Sequence, residues 1–586
     1  MTDIRPLHIN KSDAISSMVR RRTASIAATA LVAALVSAGC NTTGSHSSGS
    51  SSPTPATGGC TGDASNNTPN IVTSANTLRY AITSEPTTLD PATVRDGTTI
   101  DLLQQLYEGL VKWDATNQLV PGMAEKWDIS ADGTTYTFHI RKGVKFPNGR
   151  EVNAEDFKYS IDRSCDPATK STTADLYLSD IVGAVDRIHG KAGTRDVSGV
   201  RVVDSNTLEV KITSYKPYWL ANMAQPPAYV VCKEVVEGNC GRIDSLKSAA
   251  GTGPFTLAYY KPNYVITLAA NASYHDGKPK LDFIERPVIL DANARLSKYE
   301  AGELDYVEIA PRDLDKVNSN PKLKNDLKSY PRASTWYIGL NSSAPDSPFG
   351  KKEVRQAFAM AIDKKEVLRV GMKNMADLAD SIVPDMPGTY KPEAKGLPFD
   401  PTKAKALLAS AGYPDGKGFP TLTFSFRQDY PQVMDTATIV AGQLKKNLGI
   451  TVQLKPMEWA TYLDENERKS QALFHMRWGA DYLDPQDFLS ILLHSSKKVN
   501  GTEDHPENTT GYSNPDFDKL CDAADSEHDK AKRVDLYHKA EQIAVDDAPW
   551  IPLYYQRDLE LDSPKIKNIR DGLFGHLPHL TTTVQR

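Results

Sequence analysis

Between Asn76 and Arg586 the apolar residues keep changing period, and this limits the chain to a mixed α and β architecture. Tyr136, Phe138 and Ile140 alternate with Thr135, Thr137 and His139, and Leu208, Val210 and Ile212 alternate with Thr207, Glu209 and Lys211. A period of two places the apolar side chains on one face, so these segments are predicted to be strands of half-wet sheets. Val354, Ala357, Phe358, Ala361 and Ile362 instead fall at i, i+3, i+4, i+7 and i+8, the stripe of a helix beginning near Lys352. Further helices are predicted from Pro401 through Ala409, stopped by Gly412 and Pro414, and from Ile439 to Leu448, ended by Gly449 ahead of a strand over Ile450–Leu454. No fixed repeat links these segments. A chain of 586 residues, at roughly 100 to 200 residues per domain, is then an α/β or α+β protein of more than one lobe.

The first 75 residues stand apart from that body. Arg20-Arg21-Arg22, the only tight basic run of three, precede a charge-free, mostly apolar stretch from Thr23 to Gly39 that ends at Cys40. Basic residues, a short apolar core and small residues make an export signal, because a stable membrane span wants about 20 strongly apolar residues. Leu35-Val36-Ser37-Ala38-Gly39-Cys40 resembles a bacterial lipobox, with Ser37 departing from the usual aliphatic residue. The resemblance implies that residues 1–39 are removed and that Cys40 carries a diacylglyceryl anchor; the alternative is an ordinary signal peptide with an incidental Cys. Met18, just before the arginines, is an alternative start. Residues 41–75 contain 27 Ser, Thr, Gly, Asn or Pro and the single acid Asp63, the composition of a flexible tether. Loss of residues 1–39 removes five basic and two acidic residues and moves the formal charge from −5 to −8. Nucleic-acid binding needs a Lys/Arg excess concentrated on one face, and is disfavoured here because the body of the chain has no tight basic run of three.

With Cys40 acylated, five Cys remain: Cys60, Cys165, Cys232, Cys240 and Cys521. Cys232 and Cys240 enclose a short loop containing Gly238 and Asn239 and are expected to form a disulfide; the other reading is two independent buried thiols. No CxxC pair exists, so no thiolate metal site is expected. The chain has no HExxH helix, Walker A loop or GxSxG elbow, and Gly251-Thr252-Gly253-Pro254 lacks the third glycine of a dinucleotide fingerprint. The late histidines, among them His475, His494, His505, His528, His538, His576 and His579, fit no zinc spacing. These absences move weight from an enzyme toward a binding protein, with no cofactor and no metal expected. The C-terminal half instead concentrates aromatics: Trp336-Tyr337, Trp459 with Tyr462, and Trp478-Gly479-Ala480-Asp481-Tyr482. Large rings beside a lone acid can line a pocket that stacks on a ligand and pairs with its cation, and they can equally be core.

Several motifs then occur in a particular order. Ser84-Glu85-Pro86-Thr87-Thr88-Leu89-Asp90-Pro91 is followed by Leu106-Tyr107-Glu108-Gly109-Leu110, Pro121-Gly122-Met123-Ala124-Glu125-Lys126-Trp127 and Tyr136-Thr137-Phe138-His139-Ile140-Arg141-Lys142-Gly143-Val144-Lys145-Phe146. Thr252-Gly253-Pro254-Phe255, Tyr299-Glu300-Ala301-Gly302-Glu303-Leu304-Asp305, Val354-Arg355-Gln356-Ala357-Phe358 and Ala404-Lys405-Ala406-Leu407-Leu408 come next. The set resembles the family 5 extracellular solute-binding proteins, the oligopeptide- and dipeptide-binding lipoproteins of ABC importers, over essentially all of residues 76–580.

The resemblance implies an α/β, two-lobed periplasmic-binding-protein-like fold (class II, cluster C) with an extra subdomain inserted in lobe I. Lobe I would comprise 76–98, 229–333 and 557–586, the extra subdomain 99–228, and lobe II 334–556. The implied function is a lipid-anchored receptor on the outer face of the cytoplasmic membrane, a monomer that captures short peptides by hinge closure. It would deliver them to ABC permease subunits with cytoplasmic ATPases. An extended ligand would add as a strand between Ser84-Glu85-Pro86 and Arg477-Trp478-Gly479, although Pro86 offers no main-chain donor. Asp481, in Trp478-Gly479-Ala480-Asp481-Tyr482, would pair with the α-ammonium, while Trp478, Trp459, Tyr337 and Trp336 would wall the side-chain pockets. His475 stands where a relative has an arginine for the ligand carboxylate, and histidine is charged only below about pH 6.5. The alternative within the same fold is another small solute: an oligosaccharide, haem or a metal chelate.

Overall fold

The computed structural model describes residues 74–246, 250–495 and 507–586. The expected signal segment, Cys40, the expected tether through Thr73, Cys60 and His505 lie outside the described residues.

The chain opens with strand β1 (Thr77–Arg79) and helix α1 (Gly97–Leu106). It then builds an antiparallel sheet from β2 (Ala124–Ile129), β3 (Thr135–Ile140), β4 (Val200–Asp204) and β5 (Thr207–Lys211), in the order β2-β3-β5-β4. Tyr136, Phe138 and Ile140 are buried and the residues between them half-buried, as their alternation predicts. Helices α2 (Ala154–Ser164) and α3 (Ala174–Leu178) lie between β3 and β4, and Phe157 and Ile161 of α2 join the core of this sheet. Helix α2 starts where it does because Asn153 and Asp156 cap each other's backbone amides reciprocally.

Strands β6 (Phe255–Lys261), β7 (Val265–Ala270) and β8 (Phe283–Pro287) return the chain to its beginning, in the order β1-β8-β7-β6. β1 runs parallel to β8, with Thr77 opposite Phe283, so the four-stranded antiparallel sheet is an insertion between two adjacent strands. Leu78, Ile266, Leu268 and Ile284 are fully buried at the centre of this second core.

The third unit begins with β9 (Tyr306–Glu308) and β10 (Leu327–Leu340). Helices α4 (Lys352–Ala361) and α5 (Pro401–Ser410), strand β11 (Leu422–Arg427), helix α6 (Pro431–Leu448), strand β12 (Val452–Met457), helix α7 (Trp459–Glu467), strand β13 (Leu473–Gly479) and strand β14 (Trp550–Asp562) follow. The sheet order is β9-β14-β10-β13-β11-β12. Helix α6 begins eight residues before the expected Ile439, because Pro431 suits the first helical position and Val433 and Ala437 extend the buried stripe. It ends as expected at Gly449, whose φ of +74° supplies the left-handed cap. β12 starts at Val452, two residues later than predicted.

Strands β10 and β14 run the length of this sheet as an antiparallel pair. β9 flanks one end, while β13, β11 and β12 build the other. Between Pro331↔Arg557 and Thr335↔Tyr555 the register slips, so that Arg332, Ala333 and Ser334 face Gln556 alone. This is a bulge at the point where the chain passes from one end of the sheet to the other. Arg332 is nearly buried there, with Nη1 2.9 Å from Asp571 and Nε on Asp558 at 2.5 Å.

The expected Cys232–Cys240 disulfide is not formed. Cys232 is a free, buried thiol that accepts from Asn148 Nδ2 at 3.2 Å and donates to Glu234 Oε2 at 3.2 Å. Cys240 is disulfide-bonded, but not to Cys232, Cys165 or Cys521, which are free thiols. A helix over Lys233–Gly238 explains the correction: Cys232 caps its start and Cys240 lies beyond its end. Six helical residues rise about 9 Å, whereas a disulfide wants Cα atoms about 4.4 to 6.8 Å apart.

Candidate functional site

A cavity of about 600 Å³ opens where the two ends of the long sheet and the inserted unit meet. Its wall takes Tyr80, Ala81 and Thr83 after β1, Gly97 at the start of α1, Tyr177 of α3, the end of β13, and Arg332 and Gln556 at the bulge. This volume suits a small organic ligand.

Strand β13 is the central element of the site. It pairs with β10 along its whole length, from Leu340↔Leu473 to Ser334↔Gly479. On its other side β11 follows it only as far as Phe426↔His475. Arg477, Trp478 and Gly479 therefore leave one edge with no strand partner among the described residues, and all three line the cavity.

Asp481 lies just past this edge. Ala480 N donates to Ala333 O at 2.7 Å, while Asp481 N and Trp478 Nε1 donate to Asp487 Oδ2 at 3.0 and 3.1 Å, which fixes the loop. The Tyr177 hydroxyl donates to Asp481 Oδ2 at 2.7 Å, and Gln225 Nε2 donates to the Asp481 carbonyl. No cation lies within ion-pair distance of the Asp481 carboxylate among the described residues. Burial pushes this carboxyl up to about 6, opposed by the Tyr177 hydrogen bond. Burial and the charge of Asp481 push Asp487 far above the usual carboxylate range, so Asp487 holds the proton of the pair. Glu507, also on the wall, is pushed up to about 7 by burial and by Glu467 and Asp481. The resulting end of the cavity is poised for a cation.

The aromatic wall is built separately. Trp459, the first residue of α7, lies 3.8 Å from the Arg427 guanidinium, which also sits 4.3 Å from the Tyr430 ring. Asp429 meets the charge of Arg427, with Nε 2.7 Å from Oδ1. Tyr337 stacks on Trp550 at 3.4 Å between centroids.

Of the residues singled out by sequence, Tyr337, Trp459, Arg477, Trp478, Gly479, Ala480 and Asp481 share the cavity wall. Ser84, Glu85, Pro86, Trp336, His475 and Tyr482 do not line it. Glu85 instead accepts from Tyr260 Oη and Asn263 N, both at 2.9 Å, at the β6–β7 turn, and Ala81 and Thr83 take the wall positions. Trp336 is buried with Nε1 3.0 Å from Gln556 Oε1, and Tyr482 is buried against Tyr218 at 5.7 Å. His475 lies where β13 is still flanked by both β10 and β11, fully buried and stacked on Trp336 at 5.4 Å. Neither ring nitrogen has a hydrogen-bond partner, and burial pulls its pKa down to about 3, so it is neutral and cannot read a ligand carboxylate.

Tyr177, Arg427 and Gln556 were missed. Tyr177 sits in an apolar stripe that reads as core, and nothing local marks its contact 304 residues away. Arg427 carried a usable signal, since it ends the strand Leu422–Arg427 just before Asp429-Tyr430. Among the described residues no cluster of His, Cys, Asp or Glu could hold a metal ion.

Comparisons with known proteins agree with this geometry. A family model described as "Bacterial extracellular solute-binding proteins, family 5 Middle" matches residues 118–500. The chain is 31% identical over 504 residues to the oligopeptide-binding protein OppA of Bacillus subtilis, covering 84% of this chain and 90% of that protein. It is 30% identical over 519 residues to heme-binding protein A of Haemophilus influenzae, covering 86% and 91%. The structure of the Escherichia coli murein tripeptide binding protein MppA superposes with a TM-score of 0.77 at 28% identity, covering 87% of this chain and 99% of that one. This chain belongs to the bacterial extracellular solute-binding proteins of family 5.

Proposed function

We propose that this protein is the peptide receptor of an ABC importer, closing two lobes over a short peptide and presenting the closed form to a membrane permease with its cytoplasmic ATPases. The observation that carries the reading is the pairing of a strand edge with a carboxylate. Arg477-Trp478-Gly479 offers main-chain groups to an extended chain, and Asp481, two residues on, awaits an ammonium. β-strand addition gives affinity independent of side chains, and the charge pair fixes polarity and register. The peptide-binding relatives support the same reading. A monomer that binds without turnover, held outside the cytoplasmic membrane by a lipid on Cys40, is part of the proposal. So is the division into lobe I (76–98, 229–333, 557–586), the insert (99–228) and lobe II (334–556).

The haem-binding relative raises a second ligand, and the wall argues against it. His576 is the imidazole that lines the cavity, and Glu560 and Asp571 push its pKa up to about 10, so its protonated ring has no lone pair for iron.

Native mass spectrometry and calorimetry with mixed di- to pentapeptides test the proposal. Bound peptide masses, intact after incubation, are expected. A single non-peptide adduct, or cleavage of the peptides, would overturn it.

A further inference from the structure

A buried polar group without a partner carries an unrecovered desolvation cost, so an unpartnered one on a ligand-site wall marks what the ligand supplies. On this wall every non-aromatic polar side chain less than a tenth exposed has at least one partner among the described residues, with one exception. Asp96 accepts from Thr99 N, Glu108 and Glu560 pair with His275 and His576, Arg286 donates to Asp101, and Arg295 donates to the carbonyls of Ile289 and Leu290. Gln225, Arg332 and Arg427 are bonded as above. Asn466 is the exception: it is 4% exposed, and its Nδ2 has no hydrogen-bond partner among the described residues. The Tyr80 hydroxyl is unpartnered too, but its ring is taken up by the Tyr306 ring at 4.4 Å and the Arg286 guanidinium at 4.1 Å.

The surroundings of Asn466 are apolar and aromatic. Trp459, Leu463 and Asn466 fall at i, i+4 and i+7 on α7, so they share one face of the helix, and all three line the cavity. Trp459 and Leu463 pack in one cluster with Met476, Trp478 and Leu492, which line the cavity as well. Met476 stands on β13 opposite Tyr337, and the Arg427 guanidinium at 3.8 Å holds the Trp459 ring in place. Glu507 belongs to the same end of the cavity. The charges that raise its carboxyl are those of Glu467, the residue after Asn466, and of Asp481, and its side chain has no hydrogen-bond or ion-pair partner among the described residues. The polar end of this slot therefore lies beside the place where Asp481 awaits an ammonium.

We infer that Asn466, with Glu507, selects tyrosine as the first residue of the bound peptide, the phenol reaching Asn466 Nδ2 while Asp481 holds the ammonium. This rests on the peptide reading above and adds a side-chain preference to it. A group that satisfies both residues must accept from a carboxamide N–H, donate to a carboxyl oxygen and hang on an apolar body. The ammonium of a lysine has no lone pair to offer Asn466. A side-chain carboxylate has no proton for Glu507 and would face the like charges of Asp481 and Glu467. A carboxamide makes both bonds without using the aromatic sides. A phenol is one donor and one acceptor at the tip of a ring, and the rings of Trp459 and Trp478 offer that ring partners. Loss of the hydroxyl alone would leave Asn466 buried and unsatisfied, which is how a site of this kind tells tyrosine from phenylalanine.

Titration calorimetry on the full-length protein decides it, with Tyr-Ala-Ala, Phe-Ala-Ala, Lys-Ala-Ala, Ala-Ala-Tyr and Ala-Ala-Phe as ligands. Tyr-Ala-Ala should bind about 3- to 10-fold more tightly than Phe-Ala-Ala, the scale of one hydrogen bond. Ala-Ala-Tyr and Ala-Ala-Phe should bind alike. Asn466→Leu should bring the first ratio to about one. Equal affinity of the unaltered protein for Tyr-Ala-Ala and Phe-Ala-Ala would overturn the inference while leaving the peptide reading intact. So would tighter binding of Lys-Ala-Ala than of Tyr-Ala-Ala, a tyrosine preference at the last position, or one that survives in Asn466→Leu. Absence of binding to all five peptides would overturn both. The ratios are read first on the unaltered protein, so they stand even where the variant fails to fold.

Discussion

The hydroxyl of Tyr177 donates to Oδ2 of Asp481 across 304 residues of sequence, tying a helix of the inserted unit to the loop after β13. In the ligand-free site this bond is the carboxylate's only side-chain partner among the described residues. An incoming ammonium would therefore meet an acceptor already aligned by one donor. Asp481→Asn should weaken peptide binding by about 100-fold or more, because removing one member of a buried charge pair costs about 3 to 5 kcal/mol. Tyr177→Phe should cost only about 3- to 10-fold, the scale of one neutral hydrogen bond. Titration calorimetry at pH 7.5 measures both.

Acid should weaken binding through the same group. Asp481 titrates near 6 in the empty site, and only its ionised form pairs with an ammonium. Affinity should be flat above about pH 7 and fall roughly ten-fold per unit below about pH 5.5. The stability sign is opposite in the ligand-free protein. A carboxyl whose folded pKa is raised contributes stability below its unfolded value and loses it as pH rises through about 6. The thermal shift given by saturating peptide should therefore be larger at pH 7.5 than at pH 5. Equal shifts at both values would remove Asp481, with its neighbours Asp487 and Glu507, as the titrating cluster.

His475 should matter to stability and not to binding. Its two ring nitrogens are buried without partners, so His475→Phe should leave peptide affinity within about two-fold and raise stability by about 1 kcal/mol at neutral pH. Its folded pKa near 3 lies below the unfolded value of 6.5, so the native protein loses stability as pH falls from 6.5 toward 3. At pH 4.5 that loss is about 2 to 3 kcal/mol, and the Phe variant should not show it. Denaturant melts at pH 7 and pH 4.5 measure the difference.

The cysteines give a chemical test of the fold. Cys232 should resist thiol reagents in the native protein and react on unfolding without any reductant, whereas Cys240 should react only after reduction. Peptide mapping of differentially alkylated protein reads both. A recovered Cys232–Cys240 cross-link would contradict the helix that separates them.

Much of the architecture was legible because local pattern and tertiary environment agree. The Tyr136-to-Ile140 alternation, the Val354-to-Ile362 stripe and the Gly449 stop all appear as read. The site was legible where it is contiguous, from Arg477 to Asp481. It was misread where chemistry depends on what covers a residue. His475 and Arg477 share a face of one strand, and only the end of β11 between them makes one core and the other wall. Glu85 has the right residue type for a cavity wall, yet a turn between two strands claims it. The length of α6 was underestimated because Asp435, Thr436 and Thr438 break up its apolar stripe. Tyr177 was invisible because its partner is brought to it only by the complete fold.

The bulge of Arg332, Ala333 and Ser334 against Gln556 has a mechanical meaning. β10 and β14 stay hydrogen-bonded to each other on both sides of it, so the two ends of the sheet can neither slide apart nor rotate independently. For hinge closure at this bulge that would leave a single angle, with Arg332 holding Asp558 and Asp571 at its vertex. In a receptor of the proposed kind, this continuity would make every ligand report through the same rotation, whatever side chains it places in the cavity.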